Sequence, residues 1–249
     1  MTSKKLSIKI ITLFPKFIED FVENFGIVKR AVKLKLLDIK AVNLRSFGLD
    51  QRQTVDGRPY GGGVGMVLRA DVLYKAIASA KKSKNQDLRS KSRVILLCPQ
   101  GKQFTQHDAH RLAKYDQLIF VAGRYEGFDE RIRKFVDEEI SVGDYVLMGG
   151  ELPALVISEA VMRLRPGILG KDESSKDESF AESVNKNYGR KIYSLEYPQY
   201  TKPEVWKLGN KKYNVPKVLL TGHHKNIGEY RKSESDKRTK KRRPDLIES

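Results

Sequence analysis

From Ser7 to Leu164 the chain alternates short apolar runs with segments whose apolar residues return every three or four positions. Few folds accommodate that alternation, because apolar runs suit strands buried on both faces and the 3.6-residue period suits helices laid against them. The strands expected on this pattern are Ser7–Phe14, Asp38–Leu44, Arg93–Cys98 ending at Pro99, Gln117–Ala122 ending at Gly123, and Glu139–Val142. The helices expected lie around Phe17, Ile18, Phe21 and Val22, then at Val28–Leu37, Ala70–Lys82, Thr105–Lys114, Asp129–Phe135 and Leu152–Leu164. Ser83–Ser92 is polar and reads as a loop. Strands alternating with helices imply an α/β domain with a mostly parallel sheet.

The pattern stops after Pro166. Residues 171–182 hold five carboxylates and two lysines around one large apolar side chain, Phe180, too little to anchor a core element. This composition reads as a mobile linker over 167–182, joining a domain at 1–166 to a small, mainly helical one at 183–249. The last part contains a Tyr-rich stretch (Tyr188, Tyr193, Tyr197, Tyr200) and a basic segment expected to be helical from about Asn226. Charge is distributed unevenly. The chain carries 48 Lys and Arg against 31 Asp and Glu, a formal charge of +17, and residues 202–249 alone hold 14 against 6. A field of that sign attracts polyanions, so the C-terminal part is the expected nucleic-acid face, densest at Lys237–Arg243. The bland reading of such a run is a solvated tail. No apolar stretch approaches membrane-spanning length, and the start is interrupted by charge where a signal peptide is apolar, so no membrane association and a cytoplasmic location are expected. The single Cys98 excludes an internal disulfide, and one Cys with four scattered His offers no zinc spacing, so no metal site is expected.

Glycine falls in three clusters near predicted strand ends: Arg58–Met66, Gly123–Gly127 and Gly143–Gly150. None fits the Rossmann G-x-G-x-x-G pattern. Gly101-Lys102 and Gly170-Lys171 lack both the following Ser or Thr and the upstream Gly of a phosphate loop. One such cluster is ordinarily a turn. Three in one α/β domain point to a small-molecule pocket lined by main chain, since ligands of such sheets lie outside the carboxyl ends of strands, where absent side chains let amides approach.

Several of these segments, in this order, resemble the bacterial tRNA (guanine-37-N1)-methyltransferases. They are Tyr60–Met66, Pro99–Gly101, Gly123–Arg131, Ser141–Leu147, Gly149–Ala154 and Arg165–Gly167, followed by Tyr200–Val205, Leu219–His224 and Arg242–Leu246. The resemblance covers nearly the whole chain. It implies a SPOUT-type parallel sheet with a deep trefoil knot, a rare exception to unthreaded connections. It also implies S-adenosylmethionine as methyl donor, with Mg²⁺ as a second candidate cofactor. The donor-binding residues carried over by motif are Leu96, Leu97, Cys98, Pro99 and Gln100; Gly123, Tyr125, Glu126 and Gly127; and Ser141, Val142, Gly143, Asp144, Tyr145, Val146, Leu147, Gly149, Gly150 and Pro153. The partners implied are tRNA and a second copy of the chain, a homodimer in which linker and C-terminal domain of one subunit close the site of the other.

The reaction implied is methyl transfer to N1 of guanosine 37. Guanine N1 carries a proton at neutral pH, so attack on a sulfonium methyl needs a base at N1 and a positive donor near O6. By resemblance Arg163 faces O6 and Glu126 contacts the guanine edge. On residue type alone, Arg163 is a cation at a helix end and Glu126 a turn carboxylate beside Arg124 or Arg131. The family's linker base is the Asp of Asp-Ser-Phe, whereas this chain has Glu178-Ser179-Phe180 preceded by Asp177. Glu178 keeps the register with one extra methylene, roughly 1.5 Å; Asp177 keeps the side-chain length one residue early. The target base must leave its stack to be reached. Arg52, Asp56 and Tyr60 then belong to the loop near that base, and Ser179, Lys202, Arg242 and Arg243 to the substrate contacts. The chain also departs from typical members in being several residues longer between Phe180 and Tyr200 and in stopping soon after Leu246.

Three single residues invite other readings. His223-His224 lacks a third ligand nearby, Cys98 suits a small buried residue better than a nucleophile, and Trp206 is expected in the core or an interface of the small domain. Two rival functions stay open on sequence: an RNA-binding factor without catalysis, which does not need the glycine loops, and a SPOUT enzyme acting on ribosomal RNA or a ribose 2′-hydroxyl, which does not need a base at N1.

Overall fold

The computed structural model describes residues 5–82, 91–169, 178–184 and 191–248. Asp177, most of the polar loop at 83–92 and residues 185–190 lie outside the described residues. Two compact units divide the chain, 1–172 and 173–249, a boundary inside the stretch whose composition suggests a linker.

In the first unit β1 (Leu6–Thr12) leads into α1 (Pro15–Asn24), α2 (Gly26–Lys33) and β2 (Leu37–Asn43). A minimal hairpin, β3 (Asp56–Gly57) with β4 (Val67–Leu68), precedes α3 (Ala70–Lys81). Then come β5 (Ser92–Gln103), α4 (Gln106–Leu112), β6 (Gln117–Ala122), β7 (Glu138–Ser141) and α5 (Glu151–Met162). Local chemistry sets several boundaries. Pro15 opens α1, where its missing N–H costs nothing. Thr105 and Asp108 form a reciprocal capping box that starts α4.

The five long strands form one parallel sheet in the order β2-β1-β6-β5-β7. All six residues of β6 are buried, because side chains of a strand alternate between faces and both faces are covered. Leu118, Phe120 and Ala122 join one apolar cluster with Ile18, Val28, Leu112 and Ile157. Ile119 and Val121 join another with Val72, Leu73, Ile77 and Ile132. Helices α1, α2, α4 and α5 therefore cover one face and α3 the other.

Two local expectations are corrected. Strand β5 does not end at Pro99: it runs to Gln103, and its pairing with β7 shifts so that Leu97 and Lys102 both face Ile140. The extra residues Cys98–Gly101 are pushed out of the ladder as a bulge. At its end a side chain on Gly101 would lie 2.5 Å from the Ile140 nitrogen, so only glycine permits that crossing. The segment expected as a helix at Asp129–Phe135 is a 3-10 turn at Glu130–Phe135.

The second unit holds two antiparallel hairpins absent from the sequence-based expectation, β8 (Ala181–Val184) with β9 (Lys191–Ser194) and β10 (Val205–Leu208) with β11 (Lys211–Asn214). The expected basic helix is α6 (His224–Arg242), followed by a single turn, α7 (Asp245–Glu248). Lys237–Arg243 is thus mainly helical, not a free tail.

One charge network joins β5, α4 and β7. Glu138 accepts from Arg111 at 3.0 and 2.7 Å and from Arg93 at 2.9 Å, while Arg111 also reaches the buried Asp108 at 3.2 Å. Burial pushes the Glu138 carboxyl up, but the two guanidinium groups more than offset this and hold it below the usual carboxylate range. A depressed value stabilises the fold above the unfolded-state pKa and loses that contribution as pH falls through the folded value. Glu138→Gln is therefore expected to cost about 1.5–3 kcal/mol at pH 7. Thermal melts from pH 7 to 3 should show the difference from wild type narrowing toward acid.

Candidate active site

Because the sheet is parallel, β5, β6 and β7 present their carboxyl ends at one edge, with Leu97 opposite both Ala122 and Ile140. The segments that leave those ends wall a cavity of about 450 Å³, within the size range of small-molecule sites. Its lining comes from Leu97–Gln100, Gly123–Phe128 and Ile140–Val142, then from Gly143, Tyr145–Gly150 and Pro153. Nearly all the donor-binding candidates meet here. Leu96 and Asp144 do not: Leu96 is buried within β5 in the α3-side cluster, and Asp144 is exposed in its loop.

Close backbone approach builds the walls. A side chain on Gly150 would lie 2.7 Å from both the Ala122 Cα and the Gly123 nitrogen, so the start of α5 rests directly on the end of β6. Tyr125, at φ 61°, and Gly127, at φ 113°, form a tight turn closed by the Gly127 N–H donating to the Arg124 carbonyl at 3.2 Å. A non-glycine residue held in the left-handed region is strained, and such strain gathers at ligand sites. Open space surrounds the position where a Gly127 side chain would begin.

Arg124, considered from the sequence only as a partner for Glu126, has a different role. Its guanidinium pairs with Glu151 at 3.0 Å, donates to the Met148 carbonyl at 3.3 Å and lies 4.3 Å from the Phe14 ring centroid. Glu151 is only 2% exposed and also accepts from the buried Thr12 hydroxyl at 2.7 Å. One carboxylate therefore binds β1, the Gly123–Gly127 turn and the loop before α5. A side chain at Gly149 would collide with Arg124. The motif contains Arg124, yet nothing local indicates that its partner is 27 residues away. Arg133 was equally invisible: from the 3-10 turn it donates to the Gln100 side chain at 2.8 Å and pairs with Glu130 at 2.8 Å and with Glu139.

The turn carboxylate Glu126 pairs with neither expected arginine. Arg124 takes Glu151, and Arg131 takes Asp129 at 2.6 Å, a bond that raises the guanidinium's pKa above its ordinary value. The Glu126 side chain instead lies against Gly65, whose φ is +83°. Its N–H donates to the Met66 carbonyl at 3.0 Å and the Leu68 N–H to the Gly127 carbonyl at 2.9 Å, which fastens the glycine loop of Tyr60–Gly65 to the cavity wall. Tyr60 at the tip of this loop is fully exposed, Arg52 is exposed in a turn, and Asp56 is half-buried in β3. Cys98 is half-buried and donates to the Glu139 carboxylate at 3.3 Å, so the fully buried apolar role does not apply.

Arg163 caps the far end of α5, the helix whose first turn lines the cavity. Twelve helical residues set the two ends about 18 Å apart.

In the second unit Glu178 is half-buried in the turn before β8. Ser179 accepts from the Glu196 N–H at 3.2 Å, Phe180 (φ 67°) donates its N–H to the Ser194 carbonyl at 2.7 Å, and the Arg243 guanidinium lies 5.8 Å from the Phe180 ring centroid. Lys202 and Arg242 are exposed, and Arg243 also pairs with Asp245 at 2.6 Å.

A parallel α/β sheet with a cavity outside the carboxyl ends of its strands defines the class in which small-molecule ligands are held by strand-end loops. Residues 6–249 match the family described as tRNA (Guanine-1)-methyltransferase TrmD. The chain is also 43% identical to the tRNA (guanine-N(1)-)-methyltransferases of Staphylococcus aureus strains JH9, Newman and NCTC 8325 over 244 residues, 98% of this chain and 91% of those proteins. The chain belongs to the tRNA (guanine-N1)-methyltransferase family. It is a methyltransferase, and the family implies S-adenosylmethionine as donor and tRNA as substrate. Among the described residues no helix is long and apolar enough to cross a membrane.

Removing Arg124 leaves Glu151 buried with Thr12 as its remaining bond among those described above. Arg124→Ala is expected to lower stability by about 2–3 kcal/mol, and adding Glu151→Gln should recover part of it, because the buried charge is then gone. Denaturant titration of both variants measures this.

Proposed function

We propose that the chain transfers a methyl group from S-adenosylmethionine to N1 of guanosine 37 in the tRNA anticodon loop. The observation that carries this reading is the cavity: three strand-end segments, two of them rich in glycine, meet where the motifs of the family lie in sequence. These residues fit the donor. Main-chain groups of Leu97–Gln100, Gly123–Gly127 and Ser141–Gly150 would hold it, and open space beside Gly127 accommodates it. When bound, the donor supplies an electrophilic methyl on a sulfonium. The tight crossings at Gly101 and Gly150 favour a threaded SPOUT-type arrangement.

This chain's side chains would supply the proton chemistry. A carboxylate, Glu178 or Asp177, takes the N1 proton, and the freed electron pair accepts the methyl group. Arg163 meets the negative charge that collects at O6, and Glu126 contacts the guanine edge. Arg52, Asp56, Tyr60 and Ser179 surround the displaced base; Lys202, Arg242 and Arg243 hold the backbone of the RNA.

Arg163 and the cavity wall lie at opposite ends of α5, about 18 Å apart, too far for one chain to bring both to one guanine. Two copies remove the difficulty, each donating one end of its α5 to a shared site. An exposed apolar set supports that homodimer: Phe14, Phe17, Met148, Leu152 and Val156 are 45–92% exposed around α1 and the start of α5. A soluble dimer working on tRNA suits a cytoplasmic location.

Tritiated donor should label transcripts with guanosine at position 37 and leave those with adenosine unlabelled; label on both defeats N1-guanine specificity. Including EDTA reports any Mg²⁺ requirement. Of Glu178→Gln and Asp177→Asn, the variant that removes the base should lower kcat by about 10²–10⁴ with donor affinity unchanged. Full activity in both excludes a carboxylate base at these positions.

A further inference from the structure

The hairpin β10–β11 has no role in the chemistry above, and its surface is unusual. All eight strand residues are exposed, although an isolated two-stranded ribbon ordinarily needs a packed face. Trp206 stands opposite Tyr213 with ring centroids 5.1 Å apart, and Leu208 stands opposite Lys211 on the same face. Trp206, Leu208 and Tyr213 are 54%, 58% and 47% exposed. Of the two places expected for Trp206, the core does not hold, and an interface is the one compatible with this exposure. On the other face Lys207 is directly opposite Lys212, a like-charge pair that disfavours the ribbon until an anion lies across it. From Val205 to Lys217 there are four lysines and no carboxylate. The root of the ribbon is fixed by the Val215 N–H donating to the Glu204 carbonyl at 2.9 Å.

We propose that this hairpin is an RNA-contact ribbon. Trp206 and Tyr213 stack on an unpaired tRNA base other than the one methylated, with Lys211 on the same face and Lys207 and Lys212 reaching the flanking phosphates from the other face. Exposed aromatic rings interleaved with cations are the means by which proteins grip unstacked nucleotides, the rings taking base faces and the cations the backbone. The inference rests on tRNA being the substrate and extends it to a second contact.

Trp206 is the sole tryptophan, so its fluorescence reports this ribbon alone. Titrating full-length protein with unmodified tRNA should quench it with the same midpoint as anisotropy of labelled tRNA. Trp206→Ala should weaken tRNA binding roughly tenfold, and Trp206→Phe should restore most of it. Lys211→Gln with Lys212→Gln should flatten the salt dependence of binding, each lost phosphate contact removing roughly 0.7–0.9 from the slope. Donor binding should not move. Unchanged tRNA affinity in Trp206→Ala, or binding without quenching, overturns the ribbon while leaving methyl transfer to tRNA standing. A loss of dimer in sedimentation of Trp206→Ala identifies a subunit contact instead, and quenching by anionic vesicles but not tRNA identifies a lipid contact; either overturns it. Absence of both tRNA binding and methylation in the wild type removes the substrate reading, and the ribbon with it.

Discussion

The cavity depends on a carboxylate withdrawn from water. Glu151 is buried, and Thr12 and Arg124 between them meet both of its oxygens, so the burial leaves neither without a partner. That requirement pulls three remote pieces of chain together: the end of β1, the turn after β6 and the loop before α5. Arg124 extends the hold to Met148 and Phe14. The glycines at 149 and 150 then make sense as clearances, because any side chain would displace the guanidinium at one and the β6 backbone at the other. Rigid walls of this kind suit a site that works through main-chain groups, which cannot adjust by changing rotamer.

Charge is organised on two scales. Within the first unit, arginines are consumed in local pairs: Arg93 and Arg111 on Glu138, Arg131 on Asp129, Arg133 on Glu130 and Glu139. These pairs hold strands and turns in place and contribute little to the outward field. In the second unit the cations of β10, β11 and α6 are mostly exposed. Positive charge is densest after residue 201, where 14 Lys and Arg stand against 6 Asp and Glu, and there it is available to attract a polyanion.

Much of the first unit was legible beforehand because its signals are local. The buried runs at Leu118–Val121 and Val94–Leu97 can only be strands covered on both faces, and the Thr105–Asp108 box announces a helix start within four residues. Two of the cavity-lining segments were legible for the same reason, Gly123–Gly127 after β6 and Gly143–Gly150 after β7, whereas Leu97–Gln100 carries no glycine to mark it. The hairpins of the second unit were not. With every residue of β10 and β11 exposed, no alternation of apolar and polar positions marks them, and the lysines hide the strand period. The continuation of β5 past Pro99 was hidden by a proline that the bulge tolerates.

The amino-acid order by itself determined most strands and helices of the first unit, where the main chain must run bare, and where positive charge accumulates, since each follows from residues a few positions apart. Tertiary structure alone decided the partner of Arg124, the contact of Arg133 with Gln100, the crossings at Gly101 and Gly150, and the separation of Arg163 from the cavity. Those depend on which remote segments share a sheet edge. That is settled by burying both faces of five strands at once, a condition no local window of sequence contains.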